Sequence, residues 1–88
     1  MLERRVLIVN SLGLHARAAA KLVRLVNEHR SSVRLRLNDN EADAASILGI
    51  IALAAGKGSF VDLRVEGPDE SETLEAVSEL FINGFGER

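Results

Sequence analysis

Two short segments of this chain change face at every residue. In Val33-Arg34-Leu35-Arg36-Leu37 and again from Phe60 to Glu66, apolar side chains alternate with charged ones. A strand sends successive side chains to opposite sides, so each segment has one face fit for a core and one fit for water. Strands of this kind build a sheet that is covered on one side only. That favours antiparallel pairing, with helices confined to the covered face.

The other segments fit around that sheet. Val6-Leu7-Ile8-Val9 reads as a first strand, ended by Asn10-Ser11 and Gly13. Ala19, Leu22, Val23 and Val26 then follow the spacing of a buried helical stripe, in a helix that should stop near His29-Arg30. Asn38-Asp39-Asn40 is turn chemistry, and Glu41-Ala42-Asp43 returns as a short strand. Ser46 is placed to cap a second helix over Ile47 to Leu53, closed off by Gly56-Lys57-Gly58. After Gly67-Pro68, the acids Asp69, Glu70 and Glu72 open a last helix whose core stripe is Leu74, Val77 and Phe81. Gly84 and Gly86 then lead into a loose tail. The expected order is β-α-β-β-α-β-α: an α+β, open-faced β-sandwich, with a four-stranded antiparallel sheet covered on one face by three helices. Eighty-eight residues suit a single domain, 1–88.

Composition removes several classes of function. Cysteine is absent, so disulfides and thiolate metal sites are excluded, and no metal or other cofactor is expected. The net charge of −2 and the lack of Trp and Tyr argue against nucleic-acid binding. The apolar run Val6 to Val9 is far too short to enter a membrane. A cytoplasmic protein is the natural expectation, and a monomer, because no further hydrophobic face is evident.

The densest chemistry lies in Asn10-Ser11-Leu12-Gly13-Leu14-His15-Ala16-Arg17. A glycine turns the chain, a histidine stands where a helix begins, and an arginine follows. Helix starts expose unpaired N–H groups and partial positive charge. An imidazole there can act as a nucleophile toward phosphorus. The N–H groups of Ala16 and Arg17 and the Arg17 guanidinium can then receive phosphate oxygens. Arg17, Lys21 and Arg24 recur along one side of the helix, against the dipole at its start, which suits a phosphate or an acidic partner.

The second helix is apolar nearly all round. If Ile50 and Leu53 face the sheet, then Ile47, Leu48 and Ile51 are left over as a patch for a partner protein. Gly56-Lys57-Gly58-Ser59 is not a phosphate loop, since Ile51 stands where the leading glycine should be and the segment follows a helix.

Gly13-Leu14-His15-Ala16-Arg17 and Ser46-Ile47-Leu48-Gly49, with Ala55-Gly56-Lys57-Gly58 and Gly67-Pro68, resemble the histidine-containing phosphocarrier (HPr) family of the bacterial phosphoenolpyruvate-dependent sugar phosphotransferase system. The chain is also similar to the nitrogen-branch paralogues, NPr. The resemblance implies that His15 is phosphorylated through Nδ1 with help from Arg17. It implies that Enzyme I donates the phosphate and that an EIIA-type protein accepts it, the chain itself being a relay rather than a turnover enzyme. Partners of the family dock on the first two helices, here through Ala20, Lys21, Arg24, Ile47, Leu48 and Ile51. Ser46 aligns with the serine modified by an HPr kinase/phosphorylase. Two departures stand out: Ala18 occupies a position usually held by proline, and Ala45 one that often carries lysine. Two rival readings are a nitrogen-branch carrier with a regulatory role and a docking module that is never phosphorylated.

Overall fold

In a computed structural model, described over residues 1–87, the elements run β1 (Leu2–Leu7), α1 (Ala16–Asn27), β2 (Ser32–Leu37), β3 (Asn40–Asp43), α2 (Ile47–Ala52), β4 (Phe60–Glu66) and α3 (Glu70–Ile82), followed by a 3-10 turn over Gly84–Gly86. The sheet has four strands in the order β1-β4-β2-β3, and each neighbouring pair is antiparallel. The three helices cover one face, as the alternation of β2 and β4 demands.

The register carries that alternation across the sheet. Val6 lies opposite Val61, Leu35 lies opposite both Leu63 and Ala42, and Val33 lies opposite Val65. All are buried against Ala18, Ala19, Leu22, Ile50, Leu74, Val77 and Phe81 from the helices. The other face is charged and open. Arg5 pairs with Asp62 at 2.8 Å, Arg64 with Glu3 at 3.1 Å and Arg34 with Glu41 at 3.4 Å. Leu7 and Phe60 face each other at one end and are both exposed. Apolar surface is therefore present outside α2, where the sequence pattern shows no further hydrophobic face.

Three boundaries differ from the sequence reading. β1 begins at Leu2 and ends at Leu7, because Glu3 and Arg5 belong to the wet face while Arg4 lies on the covered side. There the Arg4 guanidinium grips Glu75 of α3 through two hydrogen bonds, at 3.2 and 2.9 Å, and reaches the Ser78 hydroxyl at 3.1 Å. α1 stops at Asn27, two residues before His29, whose Nδ1 meets the Leu25 carbonyl at 2.8 Å. The segment after α3 is not a loose tail. Phe85 is buried with its ring edge-on to Phe81 at a centroid distance of 4.9 Å, and the Lys21 ammonium donates to the Phe85 carbonyl at 2.5 Å.

Candidate functional site

The chain between β1 and α1 is bent by Gly13, at φ +64°. A side chain there would run into the Ala55 carbonyl, the same oxygen that accepts from the Leu14 N–H at 3.0 Å. Only glycine permits this close approach in the left-handed region. The loop is thus stacked on the turn after α2, and His15 is delivered in extended conformation as the N-cap of α1.

Both ring nitrogens of His15 have partners. Nδ1 accepts a hydrogen bond from the Arg17 N–H at 3.3 Å, and Nε2 lies 2.6 Å from Oε2 of Glu87. The ring retains 25% of its surface, so an incoming group can reach it. Glu87 is fastened from a second side, because the Asn10 amide donates to its Oε1 at 3.1 Å and to the Gly13 carbonyl at 2.8 Å. The Glu87 carboxyl is held below its ordinary range, first by the Asn10 amide. The His15 ring and the Lys21 charge add to this, against partial desolvation. Val9, Leu12 and Ile82 supply an apolar wall to the open groove beside the ring.

The N-terminus of α1 faces the same space. The first backbone bond within the helix, from the Ala19 N–H to the His15 carbonyl, is 2.8 Å long. The N–H groups of residues 16 to 18 precede it, so they are not used by the helix. Ala18 is buried in the core and its backbone is helical, so alanine serves where the resemblance favours proline, and it keeps an N–H that proline lacks.

The remaining site residues fall into two groups. Arg17 and Arg24 are exposed, and among the described residues neither enters an ion pair. Ala20 and Lys21 are half-buried, and Lys21 is turned toward the 3-10 segment instead of standing free in a basic line. On α2, Ile50 and Leu53 are buried while Ile47, Leu48 and Ile51 are exposed, Leu48 by 80%. Ser46 is exposed and its hydroxyl caps α2 by accepting from the Gly49 N–H at 3.0 Å. Glu87 and Asn10 escaped the sequence reading as site residues. Asn10 opens the His15 segment and ends a strand but carries no sign in the sequence of a role at the ring, and nothing local marks an acid 72 positions from His15 as its neighbour.

No helix among the described residues is long and apolar enough to cross a membrane. The family model described as the PTS HPr component phosphorylation site matches residues 2–83. A phosphocarrier protein HPr from Cupriavidus necator is 49% identical over 87 residues, covering 99% of this chain and 98% of the relative. A phosphocarrier protein NPr from Proteus mirabilis is 45% identical over 85 residues, covering 96% and 94%. Among solved structures, an HPr from Thermoanaerobacter tengcongensis superposes with a TM-score of 0.95 at 36% identity, covering 100% of this chain and 99% of that one.

Proposed function

Since the chain belongs to the HPr family of phosphocarrier proteins, we propose that it carries phosphate as an Nδ1-phosphohistidine on His15, taken from Enzyme I and handed to an EIIA-type protein. The observation that supports this most directly is the orientation of the ring: Nδ1 points at the N-terminus of α1, at the Arg17 N–H. A phosphoryl group bonded to Nδ1 would take over the Arg17 N–H that the ring now holds, and would meet the Ala16 N–H and the positive end of the dipole. The exposed Arg17 guanidinium is close enough along the chain to offset the added charge. Transfer between two such sites needs positioning and charge compensation rather than new covalent chemistry.

Partners would dock over Ala20, Lys21 and Arg24 on α1 and Ile47, Leu48 and Ile51 on α2, which offer cations and exposed apolar side chains. A modest interface of this kind releases quickly, as a relay requires. In this reading the carrier works in the cytoplasm as a monomeric single domain. Ser46 has a second role beside its cap, as a phosphoserine set by an HPr kinase/phosphorylase. Two negative charges at that helix start, beside Ile47 and Leu48, would repel acidic partners.

The test is incubation with phosphoenolpyruvate and Enzyme I. The wild type should gain an acid-labile phosphate that His15→Ala loses entirely and Ser46→Ala retains. Label persisting in His15→Ala would end the reading. The similarity to an NPr supports a second circuit with the same chemistry, a nitrogen-branch carrier. Exchange rates with the Enzyme I of each branch decide between them, the faster donor identifying the branch.

A further inference from the structure

We propose that Glu87 is a positioning residue for phosphoryl acceptance: its carboxylate holds the ring proton of His15 on Nε2, so that the lone pair is on Nδ1, facing the start of α1. This rests on the reading of His15 as the phosphoryl acceptor, and it assigns a role to a residue outside both motifs.

The geometry leaves one arrangement of the neutral ring. A neutral imidazole has one N–H and one lone pair. The Arg17 N–H donates toward Nδ1, so the lone pair is there. On the other side Nε2 lies 2.6 Å from a carboxylate oxygen, a distance that requires a proton between them. Two acceptors facing each other so closely would repel. The carboxylate is itself anchored, because Asn10 donates to its second oxygen and Lys21 ties the preceding turn through the Phe85 carbonyl. Phe85, packed edge-on to Phe81, fixes where that turn sits. The charged groups facing the ring are therefore Glu87 from the C-terminal segment and Arg17 and Lys21 from α1, while the 10–13 loop presents the neutral Asn10 amide.

The chemistry follows from that polarisation. The Nδ1 lone pair forms the new N–P bond as the donor histidine's N–P bond breaks, and the breaking pair returns to the donor ring. The His15 ring keeps its Nε2 proton and becomes cationic, and the Glu87 carboxylate offsets the charge where it develops. The new phosphoryl oxygens arrive at the helix N-terminus, on the side of the ring away from Glu87, so the two anions are separated by the imidazolium. A His15 ring that carried its proton on Nδ1 would present no nucleophile toward the helix. The logic is that of a carboxylate orienting a histidine in a hydrolase triad, applied to a histidine that is the nucleophile.

The experiment compares wild type, Glu87→Gln and Glu87→Ala. It uses nitrogen NMR of the His15 ring at a pH where it is neutral, and phosphate uptake from phosphorylated Enzyme I with varied carrier concentration. In the wild type the Nε2–H tautomer should dominate. Glu87→Ala should raise the Nδ1–H fraction and slow the maximal rate of uptake by about tenfold, the scale of one lost charge-assisted hydrogen bond, with little change in KM. Glu87→Gln keeps an acceptor oxygen, so it should restore the tautomer and recover part of the rate. An unchanged tautomer in Glu87→Ala overturns the proposal. So does an equal loss of rate in both variants with the tautomer intact, which assigns Glu87 to packing of the C-terminal turn. Failure of the wild type itself to take phosphate on His15 would defeat the underlying reading instead, and the tautomer measurement would still stand.

Discussion

Two carboxylates tie the ends of α3 to the ends of α1, with opposite results. At one end Asp69 accepts from the Ser31 hydroxyl at 2.5 Å, from the Arg30 N–H at 3.1 Å and from the Thr73 hydroxyl at 3.1 Å. Ser31 and Thr73 are buried, and both hydroxyls are satisfied. At the other end Glu87 accepts from Asn10 and His15, and the pairing is looser: among the described residues the buried Oδ1 of Asn10 has no partner, and the single lone pair of His15 Nδ1 is met only by a long hydrogen bond of 3.3 Å. A network with every member paired makes a joint. A network held this loosely fits the proposed phosphoryl acceptor, whose Nδ1 lone pair must be given up to the incoming group. The same chemical group, a carboxylate, closes a joint at one end of α3 and, beyond the other end, orients the ring proposed to be reactive.

The strongest way to break this division is to remove the side chain on which the reactive end is hung. Phe85→Ala empties the space beside Phe81 and should cost about 3–5 kcal/mol in urea unfolding. It should also release Glu87, so the His15 tautomer and the stability should shift together. An unchanged tautomer would show that Glu87 finds His15 without its anchor. A smaller change probes the joint alone. Gly67 has φ +153°, and a Cβ there would lie 2.6 Å from both Cα and Oγ of Ser31. Gly67→Ala should cost about 1–3 kcal/mol in backbone strain, while uptake by the folded fraction stays at the wild-type rate. A fall in that rate would mean the two ends are coupled through α1 or α3.

Acid titration has the smallest amplitude and the most specific sign. Hydrogen bonds, first from the Ser31 hydroxyl and then from the Arg30 N–H and Thr73, lower the Asp69 carboxyl from 3.8 to about 2 against desolvation. A carboxyl whose folded value lies below its unfolded one stabilises the fold fully above the unfolded value and loses that contribution as pH falls. The window here runs from roughly pH 4 down to about 2. Asp69→Asn should lower Tm most above pH 4, and the gap to wild type should close by about pH 2. A constant gap at all pH values would mean that the shape of the side chain matters and its charge does not.

The division also explains what could be read from the chain. The sheet, its covered face and the three helices were legible because period 2 and helical spacing are local patterns, repeated in β2, β4 and α1. His15 at a helix start, the cap at Ser46 and the apolar surplus of α2 are local too. The first half of β1 was not legible, because Glu3-Arg4-Arg5 looks like a charged lead-in. Its alternation shows only when Arg4 is known to reach Glu75 on α3. Glu87 was invisible for the same reason: its partners are set by where α3 ends. The glycines at 84 and 86 suggested slack, whereas the buried phenylalanine between them, at φ +57°, ties the segment down.

The separation of residues 15 and 87 has a consequence for biosynthesis. β1 can pair only with β4, so residues 2–7 must wait for residues 60–65, and the carboxylate beside the imidazole emerges later still. Long-range closures of this kind come late in folding. A nascent chain on the ribosome would display its histidine early with neither tautomer imposed, and the fully polarised ring would arise only once translation had passed residue 87.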